Sequence, residues 1–211
     1  MKAKTKLALF FLVCILMGAG FLLNTIRLIC PLGLIAGSES SPVVTRRESD
    51  FLPTYISQIV SDKNHVYVLF GNYSVVQVYS PDGSYQYSIS VYNHMNGRTE
   101  IAAHGNHLYI CDKVGNVYIF ENDTLIQFIE RNDISELSPA ILFGGSDPNY
   151  SVQGSSVWLT SDGGAPHLLI ERPAWLTIYQ NDSLTVILFA LAVLGGAILL
   201  VPQKAKKPTA K

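Results

Sequence analysis

Hydrophobic and polar positions divide the chain into three regimes. Leu7–Leu23 and Leu184–Val201 are apolar runs of 17 and 18 residues without a charge, close to the roughly 20 residues a helix needs to cross about 30 Å of hydrocarbon. Between them the pattern changes to short segments rich in Val, Ile and Tyr, bounded by Gly, Asn, Pro, Asp and Ser, which predicts strands. His65–Val91 carries the pattern most clearly, as strands over Val66–Phe70, Val75–Tyr79 and Tyr85–Val91. Ser80-Pro81-Asp82-Gly83-Ser84 links the last two as a tight turn. Pro81 presets φ, the Asp82 carboxylate accepts from nearby backbone N–H groups, and Gly83 tolerates positive φ.

This grammar recurs. A first set of strands runs Tyr55–Val60, Val66–Phe70, Val75–Tyr79 and Tyr85–Val91. A second runs Glu100–Ala103, Leu108–Cys111, Val117–Phe120 and Leu125–Ile129. A third, weaker set runs Tyr150–Val152, Val157–Thr160, Leu168–Ile170 and Leu176–Tyr179. His65-Val66-Tyr67-Val68 aligns with His107-Leu108-Tyr109-Ile110 at an offset of 42 residues, and both with Ser156-Val157-Trp158-Leu159 a further 49 along. Turn residues fall between the strands, at Asn64, Asp82-Gly83, Gly105-Asn106, Gly115-Asn116, Asn122-Asp123 and Asp162-Gly163-Gly164.

Four short strands per period of roughly 40–50 residues describe a propeller blade. On Val66-Tyr67-Val68, Val76-Gln77-Val78-Tyr79 and Ser80-Pro81-Asp82-Gly83, the chain resembles the NHL and related six- to seven-bladed propeller repeats. The second unit keeps Leu108-Tyr109-Ile110-Cys111-Asp112 and Val117-Tyr118-Ile119-Phe120 but lacks the Pro-Asp-Gly turn. The resemblance covers about residues 55–180 and implies a fold, not a function. The expected fold class is an all-β domain of three four-stranded propeller-like blades, flanked by two transmembrane helices. Closed propellers use about four to eight blades, so three leave an open edge that invites pairing. Two copies closing one ring, a larger partner completing it, and an open curved array with loops over its edges are the three arrangements this allows.

Charge orients the molecule. Lys2, Lys4, Lys6, Lys204, Lys206, Lys207 and Lys211 give the ends +7, and the middle carries −8. Positive residues stay on the cytoplasmic side, so both termini are expected in the cytoplasm and the middle outside the cell membrane. The segments are then a basic tail (1–6), a first transmembrane helix (7–29), a linker (37–54), an extracytoplasmic β domain (55–181), a second helix (184–201) and a basic tail (202–211). Residues 1–23 also fit a cleavable signal peptide, but the small-x-small cleavage pattern is weak at Gly18-Ala19-Gly20, which favours an uncleaved anchor. Trp175 and Tyr179 suit the interfacial aromatic belt ahead of the second helix. Gly18, Gly20, Gly195 and Gly196 would let helices approach closely. Both tails are short, which leaves no room in them for a cytoplasmic domain.

Chemistry is sparse in the pattern. His104-x-x-His107 near Cys111 and Asp112 has ligand-like spacing, but Gly105-Asn106 between the histidines reads as a hairpin turn, so no metal or other cofactor is expected. Cys30–Cys111 is a conceivable disulfide; buried or membrane-embedded thiols are the plainer reading. No nucleophile elbow, phosphate-cradling loop or catalytic carboxylate pair stands out. The acidic middle argues against nucleic acid as a partner. Asn72, Asn122, Asn149 and Asn181 begin Asn-x-Ser/Thr triplets. The expectation is a membrane-anchored binding or assembly module rather than an enzyme, partnered by the lipid bilayer and by a protein or a second copy at the open edge. Tyr73, Tyr92, Asn93, His94 and Asn96 are the candidate loop contacts. The alternatives are an accessory subunit of a membrane complex and a surface enzyme with a site built from blade loops.

Overall fold

The computed structural model of the chain describes residues 3–29, 42–45, 52, 54–71, 74–91, 99–112, 114–136, 145–160, 164–177 and 183–200. These fall into two compact units, a helical one drawn from both ends of the chain and a β unit spanning Leu28–Gln180.

The helical unit holds α1 (Ala3–Ile29) and α2 (Ser183–Leu200). Thr5–Leu23 of α1 is the helix long and apolar enough to cross a membrane; its 19 residues extend about 28 Å at 1.5 Å per residue. In α2 the continuous apolar stretch among the described residues is Val186–Leu199. It covers about 21 Å at that rise, short of the span expected over 184–201. The two helices meet at small residues. A Cβ on Gly20 would lie 3.3 Å from the Phe189 ring, and one on Gly195 2.6 Å from Val13 Cγ2. Gly18 and Gly196 face open space.

The β unit is three antiparallel sheets. The first contains β1 (Val43–Thr45), β2 (Ile56–Ser61), β3 (Val66–Phe70), β4 (Val75–Tyr79) and β5 (Tyr85–Ser90), in the order β1-β5-β4-β3-β2. The second is a meander of β6 (Glu100–His104), β7 (His107–Cys111), β8 (Val117–Glu121) and β9 (Thr124–Ile129). The third is β10 (Tyr150–Gln153), β11 (Ser156–Leu159) and β12 (His167–Ile170).

Two departures from the sequence reading have local causes. Val43–Thr45, inside the expected linker, adds a strand to β5, and Leu52 of the same segment is buried; β-branched Val43 and Val44 suit a pleated edge. Leu176, expected to start a fourth strand in the third sheet, instead closes a 3-10 turn over Ala174–Leu176. Pro173 precedes this turn, and its carbonyl accepts from the Leu176 N–H at 2.9 Å. The turn drives Leu176 into the interior.

The first sheet lies in the middle, with both faces covered. Tyr67, Leu69, Val76, Val78 and Ile89 pack against Leu108, Ile110, Tyr118 and Phe120 of the second sheet. Val66, Val68, Phe70 and Val75 pack against Val157 and Ile170 of the third. This explains why β3 and β4 read as continuous apolar runs, since every position is buried. Each such side chain contributes about 1.5–3 kcal/mol by leaving water.

The chain covers some of its own strand edges. β1 lies along β5. Residues 146–147 run beside β2, where the Asp147 N–H donates to Ile59 O at 2.8 Å and Ser146 Oγ accepts from the Ile59 N–H. The edge of β6 is met by one side chain. Gln58 donates from Nε2 to Ile101 O at 2.6 Å and accepts from the Ile101 N–H at 2.8 Å. A bulge beside Gln58 in the β2–β3 pairing shifts its register and re-aims its side chain. Among the described residues β9, like β1, β10 and β12, pairs with a strand on one side only.

Candidate functional site

The five candidate loop contacts, Tyr73, Tyr92, Asn93, His94 and Asn96, lie outside the described residues, as do Cys30, Asn72 and Asn181. The remaining constellations resolve into turn locks. His104 and His107 face each other across a two-residue hairpin whose Gly105 has φ +64°. Among the described residues no group of three metal-binding side chains converges. Asp112 is buried, and its Oδ1 accepts from the N–H groups of Val114, Gly115 and Asn116, while Oδ2 accepts from Asn116 Nδ2. Its oxygens therefore hold the β7–β8 turn. Burial pushes the neighbouring Cys111 thiol up to about 11, so at neutral pH it is a protonated, poorly nucleophilic group.

Asp62, His65 and Tyr67 form a second cluster, one that sequence spacing does not announce. Asp62 Oδ1 accepts from the N–H groups of Asn64 and His65, and Oδ2 accepts from the Tyr67 hydroxyl at 2.8 Å. Burial, followed by the bond to Asp62, pushes the Tyr67 hydroxyl far above the ordinary tyrosine range. The phenol is locked as a donor, and the cluster fastens the β2–β3 turn.

A cleft of about 540 Å³ opens on the third sheet. Trp158, Leu168 and Ala174 are among its apolar lining, and Ser155, Ser156, Thr177, Glu171 and Arg172 among its polar lining. Register places Trp158 directly opposite Leu168 on the face away from the buried Val157 and Ile170. The serine hydroxyls serve the backbone. Ser155 Oγ donates to Pro173 O at 3.0 Å, and Ser156 Oγ accepts from the Arg172 N–H at 3.0 Å. The hydroxyls of Ser155 and Ser156 are thus taken up by the backbone.

Beneath the cleft, Arg172 is 97% buried. Its guanidinium lies 4.8 Å from the Phe70 ring centre and donates to Leu52 O at 2.6 Å and Ser155 O at 3.3 Å. Desolvation holds it down to about 10, still cationic at neutral pH. It joins the segment before β2, the β10–β11 turn and β3, and nothing in the local sequence distinguishes it from a surface arginine.

Among the described residues of the β unit, Ile126 and Trp175 are the most exposed large apolar side chains. In β9, Ile126 is the extra residue of a bulge and is 48% exposed. Past the third sheet, Trp175 is 61% exposed. Compared with protein-family models and with the curated proteins, the chain matches none.

Proposed function

We propose that this chain is a membrane-anchored module that presents its β unit outside the cytoplasm for binding or assembly. The observation that carries the anchor is the surface of α1. Leu7, Phe10, Phe11, Ile15 and Phe21 are all at least half exposed, a surface that water disfavours and lipid accepts. α2 shares the character, with Val186, Leu194 and Val193 exposed by 60% or more. As a second span it is short, a mismatch that bilayer thinning or snorkelling lysines absorb. Both termini are then cytoplasmic, by the positive-inside rule applied to the terminal lysines.

The three sheets are read as blade-like units. What supports this is the repeated antiparallel meander and the approach of β2 to β6, strand to equivalent strand, bridged by Gln58. The first sheet lies in the middle of the stack, whereas blades laid down in sequence order would put the second there. The assembly reading rests on β9. The bulge at Ile126 guards part of that edge, leaving Gln127–Ile129 as the segment a partner strand meets.

The test is made on isolated membranes. The chain is expected to stay with the pellet after alkaline carbonate extraction and to migrate on a native gel above its monomer mass. A chain released by carbonate refutes the anchor, and a strictly monomeric band in mild detergent refutes assembly.

A further inference from the structure

The third sheet turns Val157 and Ile170 into the interior. On its other face Gln153 stands opposite Ser156, and Trp158 opposite Leu168. A bulge between the two β11–β12 pairs lets Leu168 point outward while Ile170 stays inside. The segment after β12 folds back beside this face as a wall. It is fastened to the β10–β11 turn by Ser155 Oγ, which donates to Pro173 O, and by the Arg172 N–H, which donates to Ser156 Oγ. Floor and wall flank the cleft of about 540 Å³, a size within the roughly 300–1,000 Å³ of small-molecule sites. Its lining keeps polar groups in reserve. Gln153, Glu171 and Thr177 are exposed, and no described residue engages their side-chain polar atoms or the Trp158 indole N–H. Arg172 offers the cleft no accessible cation, being 97% buried with its guanidinium on the Phe70 ring and Leu52 O.

We infer that this cleft binds a neutral saccharide, one face of a sugar ring lying against Trp158 and Leu168 and its hydroxyls taken by Gln153, Glu171 and Thr177. The class follows from how the groups are combined. A pyranose carries C–H bonds on a face and hydroxyls around its rim. The C–H face leaves water for the indole. The hydroxyls exchange water for an amide, a carboxylate and a hydroxyl, which between them both donate and accept. An anion would meet Glu171 and no open cation. A quaternary ammonium would find a single aromatic face where such ligands are held by cages of several. The inference rests on the binding reading of the β unit and gives it a ligand class; the anchor does not enter it.

Trp158 and Trp175 are the two tryptophans of the chain, and Trp175 is outside the cleft lining, so Trp175→Phe leaves an emission that reports on the cleft alone. The full chain, held in the sugar-free detergent lauryldimethylamine oxide, is titrated with cellotriose, maltotriose and chitotriose, and with sorbitol and tetramethylammonium as controls. The expected result is a saturable, blue-shifting change in Trp158 emission with at least one trisaccharide and with neither control. Gln153→Ala and Thr177→Ala, both at exposed positions, should each weaken that binding about 2- to 10-fold, the worth of one hydrogen bond. Trp158→Ala should abolish it, read by calorimetry. No saturable response to any of the three sugars, in a chain with native far-UV circular dichroism, overturns the saccharide site. An equal response to sorbitol, or a response to tetramethylammonium alone, overturns it too. Should Trp158→Ala misfold, the two surface variants decide, and undiminished binding in both overturns the site. The anchor is read separately by carbonate extraction: a chain that stays with the membrane yet binds no trisaccharide loses the ligand and keeps the anchor.

Discussion

Gln58 offers the sharpest test of how the sheets are joined. It is 8% exposed, and Ile101, whose N–H and C=O it bonds, is 2% exposed. Gln58→Leu keeps the approximate volume while leaving the Ile101 N–H and C=O buried without these partners. Each orphaned group costs about 1–3 kcal/mol, so the expected loss is about 2–6 kcal/mol. That is a large part of the 5–15 kcal/mol typical of a folded domain. With a urea slope of about 2 kcal/mol/M, the midpoint for the β unit falls by about 1–3 M, read by far-UV circular dichroism on the full chain in detergent.

Gln58→Glu adds a pH test of the same pair. A protonated glutamic acid both donates to Ile101 O and accepts from the Ile101 N–H; the carboxylate can only accept. Burial and the carbonyl raise the folded-state pKa above the unfolded value of about 4.3. The folded state then holds more protons than the unfolded state above that pH. The deficit relative to the native chain is therefore smallest below about pH 4 and grows as pH rises through the unfolded value. A Leu variant within about 0.5 kcal/mol of native, where ordinary surface changes fall, or a Glu deficit that shrinks with rising pH, refutes the bridge.

Other outcomes follow from single positions. Gly83, at φ +86°, leaves no room for a Cβ, which would meet the Leu169 carbonyl, so both Gly83→Ala and Gly83→Asn should destabilise the β unit by about 1–3 kcal/mol for the added atoms alone, read as a lower urea midpoint. Gly105, at φ +64° with open space around it, should accept Asn within about 1 kcal/mol. In the helical unit, Gly195→Leu should break the close contact with Val13, read as loss of disulfide crosslinking between cysteines placed on α1 and α2. Gly196→Leu, facing open space, should preserve it. Cys111 should resist maleimide at pH 7, and its alkylation rate should climb with pH toward about 11; rapid labelling at neutral pH contradicts its burial.

Val-, Ile- and Tyr-rich segments and turn chemistry made the β architecture readable, because Val66–Phe70 and Val75–Tyr79 are short and their turns carry Gly, Asn and Asp. The same local logic failed at Leu176, where Pro173 selects a 3-10 turn. It also failed at Val43–Thr45, whose three residues carry too little pattern to stand out from a linker. Equal spacing of repeats says nothing about stacking order, so the central place of the first sheet was not legible. That order depends on which faces are apolar on both sides, a property of tertiary contact. The histidine pair was read correctly as a hairpin because Gly105-Asn106 sits between its members. Arg172 and the cleft above it were invisible, since their partners, Leu52, Phe70 and Ser155, come from three separated segments.

The most direct test of the central claim is the sidedness of the β unit. Asp123→Cys, in the β8–β9 turn, and Lys4→Cys, in the N-terminal basic segment, are each introduced into a chain whose native cysteines are replaced. Intact cells are then treated with a membrane-impermeant maleimide. The account predicts labelling at position 123 in intact cells and at position 4 only after the membrane is opened. Labelling at position 4 with protection at 123 would contradict it.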